Sequence, residues 1–428
     1  MTALRTLAPT AEARLLAAPV RYPAGWTQPV TSLIPDDLDA HLARYGDRPR
    51  CTYRSGAQLI SALAAAGLEG CGGGHFPVAA KWRAHREAGG GGVVVANGAE
   101  SEPASAKDVA LLQLRPHLVL DGLVSAAEAL GARTLIVWLH EDASSPYASV
   151  VRALAERRAA WLAEPIVYLA TAPRRYVAGE SSAIVRGLSG GPARPDFRRV
   201  PAAVHGVHGR PTLIQNVETL ARTALIARGG PGRPEAARLF TVATAGERTV
   251  IEVAGTRTLA QAIDGVVGPR AHQAALIGGY GGTWVGWEVL SSLPADERAT
   301  RGRGLSLGAG VLLPLSEHGC GLVEAAAIAE FLAAASARQC GPCLFGLRAS
   351  SDALTSMVDL RARPADVRRL AGILDQVTGR GACHHPDGAV RMIRSAMATF
   401  AADAHSHVAG SGCRHSGDDR FFPTPAEG

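Results

Sequence analysis

Two cysteines with two residues between them, Cys340 and Cys343 in Cys-Gly-Pro-Cys, with Cys383 forty residues on, carry the strongest local chemistry in the chain. Thiolates clustered this way suit a soft metal or an iron-sulfur cluster, and the bland alternative is a pair of buried structural thiols. A second stretch, Gly70-Cys71-Gly72-Gly73-Gly74-His75-Phe76-Pro77 followed by Lys81-Trp82, is rich in glycine. Backbone N–H groups without Cβ atoms in the way can converge on an anion, and a lysine just beyond adds positive charge for a phosphate. A surface loop reads the same way. Third come Asn97-Gly98-Ala99-Glu100-Ser101-Glu102-Pro103 and Lys107-Asp108. Their amide and carboxylates could orient a ring or a ribose, or form an acidic turn capping a helix. Tyr176 to Ser182 and Pro211 to Leu220 read as turns running into helices, where Ser181 and Asn216 serve as caps as readily as ligands.

The elements that must position these groups follow from texture. Between Gly91 and Leu169, short β-branched runs (Val93 to Ala96, Thr134 to Leu139, Ile166 to Leu169) alternate with helical stretches near 117 to 130 and 146 to 163. This β-α-β-α-β series predicts an α/β domain with a parallel sheet covered by helices, whose ligand sits beyond the strands' carboxyl ends. Asn97 falls at such an end. From about 239 to 315, short strands, glycine turns and one helix near 258 to 265 predict a small β-rich domain. From Leu322 onward four helices are expected, Leu322 to Ala335, Ser350 to Leu360, Pro364 to Val377 and Asp387 to Ala402, followed by a disordered tail. The expected boundaries are 1–48 for an N-terminal extension, 49–235 for the parallel-sheet α/β domain, 236–316 for the β-rich domain, 317–404 for the helical bundle and 405–428 for the tail.

At 428 residues, 47% hydrophobic and 19% charged, the chain is long enough for two or three packed domains and too apolar for disorder. A net charge of +6 with 5% aromatics and no basic block excludes nucleic acid as an expected partner. No apolar run reaches membrane-spanning length, which predicts a cytoplasmic protein with no membrane span. Of 44 basic residues, two are Lys, Lys81 and Lys107. A lysine kept where arginine has taken over elsewhere marks a place for a compact ammonium.

Taken in order, these segments resemble the NADH-binding, FMN and iron-sulfur subunit of respiratory complex I and its relatives in NAD-dependent hydrogenases and formate dehydrogenases, over about residues 50 to 400. The family's GRGGAGFPTGLKW stands here as Gly70 to Trp82, its NADESEPGTFKD as Asn97 to Asp108, its YxxGEETAL as Tyr176 to Ile184 and its GxPTxxNNVETL as Gly209 to Leu220. The resemblance implies a Rossmann-like flavin domain, a β-grasp (SLBB-like) domain and a C-terminal four-helix bundle with a 4Fe-4S cluster. It implies that Gly70, Gly72, Gly73, Gly74 and Lys81 hold the FMN phosphate, that Asn97, Glu100, Gln215 and Asn216 surround the flavin, and that Phe76, Glu102, Gly179, Glu180 and Ser181 lie toward NAD(H). Cys340, Cys343 and Cys383 become the metal ligands, and no protein nucleophile is expected because the chemistry is the flavin's.

The departures are specific. Ala337 stands where the family has its first cluster cysteine, so three thiolates carry over and the cluster is 4Fe-4S with another ligand, 3Fe-4S, or lost. Cys413, His384 and His385 are candidates for the missing ligand. Cys320 is separated from the motif by a helix spanning about 22 Å. Cys71, Ala99, Ser181 and Gln215 replace an arginine, an acid, a glutamate and an asparagine of the family, and the NADH-holding stretch reads Phe197-Arg198-Arg199-Val200-Pro201. The expected activity is electron transfer from NADH through FMN and an iron-sulfur centre to a protein acceptor such as a ferredoxin. The alternatives are an FMN/iron-sulfur relay that does not use NADH, and a non-enzymatic scaffold subunit.

Overall fold

The structure is a computed structural model that describes residues 14–16, 18–23, 34–197, 200–229, 237–413 and 422–423. Among these the strands are, in chain order, β1 (Val20–Pro23), β2 (Val93–Asn97), β3 (Thr134–His140), β4 (Val167–Ala172), β5 (Thr212–Asn216), β6 (Arg238–Ala243), β7 (Glu247–Val253), β8 (His272–Ile277), β9 (Thr283–Gly286) and β10 (Val311–Ser316).

β2 to β5 form a parallel sheet in the order β4-β3-β2-β5. The run Val93 to Ala96 is buried throughout, as a strand covered by helices on both faces requires. The helix Pro116–Leu130 starts on a proline and stops at Gly131, whose φ of 68° is left-handed. It crosses the helix Val217–Gly229 so closely that a Cβ on Gly122 would stand 2.0 Å from the Leu220 carbonyl oxygen. A further helix, Lys107–Leu114, the one an acidic turn here would cap, joins the acidic segment to this layer.

The second sheet has six strands in the order β1-β7-β6-β10-β8-β9, parallel between β6 and β10 and antiparallel elsewhere. Its helix, Leu259–Val267, opens with a reciprocal Thr258/Gln261 cap and buries Leu259 and Ile263 against Phe240, Val242 and Ile277. Part of the segment expected to be an N-terminal extension is the edge strand β1 of this sheet. β10 escapes a reading of the sequence because it contains Pro314, a residue depleted from sheet interiors. The proline is tolerated because β10 pairs with β6 only at Val311 and Leu312, leaving Pro314 to face β8 alone.

The C-terminal region packs the helices Gly321–Ala334, Leu347–Val358, Pro364–Val377, His385–Thr399 and Ala401–Val408 around one apolar core. Two of the expected boundaries are corrected. The last expected helix is broken at Phe400 (φ −108°, ψ 36°) into two. The tail expected to be disordered from 405 contains the end of a helix, and Phe422 stacks on Trp284 with ring centroids 5.5 Å apart while Tyr280 donates to the Pro423 carbonyl. Of the glycines Gly229 to Gly232, which the sequence offers as a linker into the β-rich domain, Gly229 ends the helix Val217–Gly229 and the rest, like the pair Arg198-Arg199, lie outside the described residues. No described helix is long and apolar enough to cross a membrane.

Candidate functional site

The glycine-rich loop closes on itself through the Gly70 amide, which donates to the Phe76 carbonyl at 3.1 Å, and feeds the helix Val78–Glu87. Gly73 is left-handed at φ 97° and lies against Gly308 and Ala309 of the six-stranded sheet's connection. A Cβ on Gly72 would come 3.3 Å from the Asn216 side chain, so the loop backbone lies directly over the end of β5. The Gly74 backbone is open. His75 is buried beside Glu297 at 3.3 Å, but burial, with Arg238 and Arg301 nearby, lowers its pKa to about 3, so it is neutral and the contact is no ion pair at neutral pH. Phe76 is 58% exposed at the loop's mouth.

Lys81 projects from the helix into this corner. Its ammonium donates to the Ile214 carbonyl of β5 at 2.5 Å, and burial alone lowers its pKa to about 8. No carboxylate among the described residues neutralises it. A half-buried cation without an anion, under a glycine loop, is the donor set a phosphate needs.

Asn97 and Asn216 end β2 and β5 in register with each other. Asn97 donates to the Gly179 carbonyl at 2.9 Å, and a Cβ on Gly179 would stand 2.9 Å from the Ala99 carbonyl oxygen, so the Tyr176 to Ser182 turn is held against the acidic loop. Asn216 donates to Asp108 at 2.6 Å. Gln215 is buried and its Nε2 has no partner, an unmet donor at the sheet's carboxyl end. The glycine loop, the acidic loop, the 176–182 turn and β5 thus converge where an open parallel sheet binds its ligand.

Three acidic residues of these motifs do different work. Glu100 accepts from the Asp108 and Val109 amides at 3.2 and 3.0 Å and from the Ser105 hydroxyl, capping the helix Lys107–Leu114. Glu180 caps the helix Ser181–Leu188, accepting from the Ser182 and Ala183 amides at 2.8 and 3.2 Å. Ser181 is the first residue of that helix. Both carboxylates are therefore committed to helix N-termini, the bland reading of these motifs. Glu102 instead reaches across to the second sheet: its Oε2 accepts from Tyr176 Oη at 3.0 Å and the Tyr280 amide at 3.1 Å, while its buried Oε1 has no partner. Burial, partly offset by these two donors, lifts its carboxyl to about 7. Tyr280 and the neighbouring Gly279, whose Cβ would stand 2.6 Å from Glu102, carry no signal in the sequence because they lie in the turn after β8, far from every motif.

Lys107 is fully buried and pairs with Asp108 at 2.7 Å and Glu218 at 3.1 Å. Burial opposes its charge, but the two carboxylates more than offset that and hold its pKa above the ordinary lysine value. Glu218 also takes Arg222 at 2.8 Å and the Leu239 amide at 3.1 Å, and despite burial Lys107, Arg222 and Arg238 keep it ionised, down to about 2. The two lysines differ in kind: Lys107 is neutralised inside the protein, Lys81 is not.

Cys340 and Cys343 sit on either side of Pro342, where the helix Leu347–Val358 is entered through a single π turn, Pro342–Gly346. Burial pushes the Cys343 thiol up to about 12, with Cys340 and Cys383 close enough to add to the shift, and burial likewise pushes Cys383 up to about 11. Cys340 lies next to Cys343 and Cys383 is near enough for its charge to be felt there, but among the described residues the three sulfurs do not close to within 4.8 Å of one another; the charge of Glu180 is felt at Cys383, which places this corner next to the 176–182 turn. Arg186 reaches Gln339 across the same boundary, and the Tyr176 and His385 rings pack 5.3 Å apart. Of the candidates for a fourth ligand, Cys413 lies with Cys320 and His407, His384 is exposed beside Asp387, and His385 is held through Nε2 on the Leu332 carbonyl at 2.8 Å with its buried Nδ1 left without a partner.

These residues fit FMN: Lys81 is a cation in want of an anion, Gln215 holds an unmet donor, and the glycines leave room for a ligand. They fit an iron-sulfur cluster in part: Cys340, Cys343 and Cys383 face one corner of the fold, short of mutual ligand distance, and Ala337 stands at the fourth family position.

Comparison with known proteins sets the class. Residues 63–225 match the Nuo51 FMN-binding domain and residues 324–407 the NADH-ubiquinone oxidoreductase-F iron-sulfur binding region. The chain is 27% identical over 382 residues to a NADH-quinone oxidoreductase subunit of Mycobacterium tuberculosis, covering 83% of this chain and 85% of that one. It is 27% identical over 408 residues to the corresponding NADH-quinone oxidoreductase subunit of Salmonella typhimurium, covering 87% and 91%. Its fold matches a chain of the NAD+-reducing [NiFe]-hydrogenase in the H2-reduced state with a TM-score of 0.75 at 24% identity, over 89% of this chain and 66% of that longer one. In both of these regions the chain is similar to the complex I flavin and iron-sulfur subunits, and its fold is that of the hydrogenase chain.

Proposed function

We propose that the protein is a flavoprotein oxidoreductase of the NADH dehydrogenase type, passing electrons from NADH through FMN and an iron-sulfur centre to a partner protein such as a ferredoxin. The observation that carries it is Lys81, a half-buried cation with no acidic partner beneath a glycine loop at the carboxyl end of a parallel sheet. FMN, when bound, supplies the exchange between a two-electron donor and one-electron acceptors. In this reading the β-rich unit, with β1 at its edge, is a β-grasp (SLBB-like) domain and the C-terminal helices are the cluster-bearing bundle. Gly70, Gly72, Gly73, Gly74 and Lys81 hold the phosphate, and Asn97, Gln215 and Asn216 line the isoalloxazine side. Glu100 and Glu180 shape the site by fixing the helix ends that carry these loops. Phe76, exposed at the loop mouth, Gly179 and Glu102 lie toward the nucleotide. The setting is cytoplasmic and the partners are redox proteins.

Visible absorbance of anaerobically purified protein tests the reading. Flavin bands that bleach on adding NADH support it. Flavin bands indifferent to NADH replace it with an electron relay fed by another subunit, and a colourless protein replaces it with a scaffold.

A further inference from the structure

Outside the cofactor motifs, three soft donors meet. Cys320 caps the amino end of the helix Gly321–Ala334, and its Sγ lies 3.6 Å from His407 Nε2. With the Cys413 thiol these ligand atoms all lie within 4.8 Å of one another. Local structure explains the meeting. His407 falls in the last turn of the helix Ala401–Val408, and Gly410 and Gly412, left-handed at φ 79° and 66°, turn the chain back so that Cys413 faces it.

Cys320 and His407 are 4% and 5% exposed, and His407 Nδ1 has no hydrogen-bond partner. Thiols alone pack well as small hydrophobes. An imidazole buried between two of them is not explained by apolar packing, because its nitrogens lose water without gaining donors or acceptors of comparable strength. A disulfide would need the two sulfurs at about 2.05 Å and would leave the histidine without a role.

We propose that Cys320, His407 and Cys413 bind one Zn2+, separate from the iron-sulfur cysteines, with water as the fourth ligand. Two thiols and one imidazole are a borderline-soft tetrahedral donor set. On binding, each thiol loses its proton to solvent and the imidazole binds as the neutral ring, so two thiolate charges cancel those of the ion and the buried centre is neutral. The amino end of the fourteen-residue helix stabilises the Cys320 thiolate. The ion joins residues 87 apart in sequence, fastening the turn after the last helix to the base of the first C-terminal helix.

Zinc and iron analysis of the whole protein, purified anaerobically from zinc-supplied cells, tests this. Wild type should carry about one zinc per chain. Cys320→Ser and Cys413→Ser should each lose it about tenfold with iron unchanged, and Cys340→Ser should lose iron with zinc unchanged. Should Cys320→Ser not fold, His407→Asn is read in its place, together with proteolysis of wild type, where chelation should speed cleavage near 409–413. Wild type without zinc, zinc retained in the Cys320→Ser/Cys413→Ser double variant, iron falling together with zinc in that variant, or a Cys320–Cys413 disulfide found by alkylation mass spectrometry would each overturn the proposal.

Discussion

Lys81 donates its ammonium to the main-chain carbonyl of Ile214 at 2.5 Å, and that carbonyl is the only partner it has among the described residues. A carbonyl supplies a dipole where the ammonium needs a charge, so burial drives the lysine down to about 8. A phosphate at the glycine loop reverses this. Replacing Lys81 by Ala should leave the fold intact by circular dichroism and weaken FMN retention by roughly 10- to 100-fold, the worth of about 1.5–3 kcal/mol for one charge-assisted contact. Full flavin occupancy in that variant would remove Lys81 from the site.

Lys107 predicts the opposite pattern. Lys107→Met strands Asp108 and Glu218 in the interior, and breaking a buried pair costs about 3–5 kcal/mol. A large fall in the urea midpoint is expected. A midpoint within experimental error of wild type would show that the pair contributes nothing.

Glu102 predicts a pH dependence. Its folded carboxyl titrates near 7, above the ordinary value of about 4.3, so the folded chain holds this proton to higher pH than the unfolded chain does. Its contribution to stability is complete below about pH 4 and is lost as pH rises through 7, by on the order of 2 kcal/mol. Glu102→Gln keeps acceptors for Tyr176 and the Tyr280 amide and should flatten the stability profile between about pH 5 and 7 by about that amount. An unchanged slope in denaturation curves across this range would contradict the assignment.

Ala337 can be converted to the cysteine that the family carries. If Cys340, Cys343 and Cys383 hold a three-iron cluster, Ala337→Cys should raise iron from about three to about four per chain and change the electron paramagnetic resonance signal accordingly. Iron and signal identical to wild type would mean that position 337 does not face the cluster.

Much of the scaffold is legible in the sequence because it is written in local pattern. Val93 to Ala96 announces a covered parallel strand, and Asn97 marks its carboxyl end. Pro364 to Val377 is a helix with the bounds that the sequence predicts, since proline opens it and a regular apolar stripe follows. The acidic motifs are ambiguous in sequence because a carboxylate ahead of a helix caps it or binds a ligand with the same residue types, and for Glu100 and Glu180 geometry shows the capping. β10 hides behind Pro314. Cys320, His407 and Cys413 are unreadable as a group, since 87 residues and a whole helical layer separate the first from the second. The survival of two lysines in an arginine-rich composition points to both sites, but only packing tells that Lys107 is already satisfied.

Glu218 has one further consequence. From a helix of the parallel layer it accepts the Leu239 amide of β6, while Arg238, the adjacent residue, donates to the Gly308 carbonyl beside the glycine loop's Gly73. Prising the two sheets apart would expose an ionised glutamate, its lysine and its arginine at once, so the layers behave mechanically as one block.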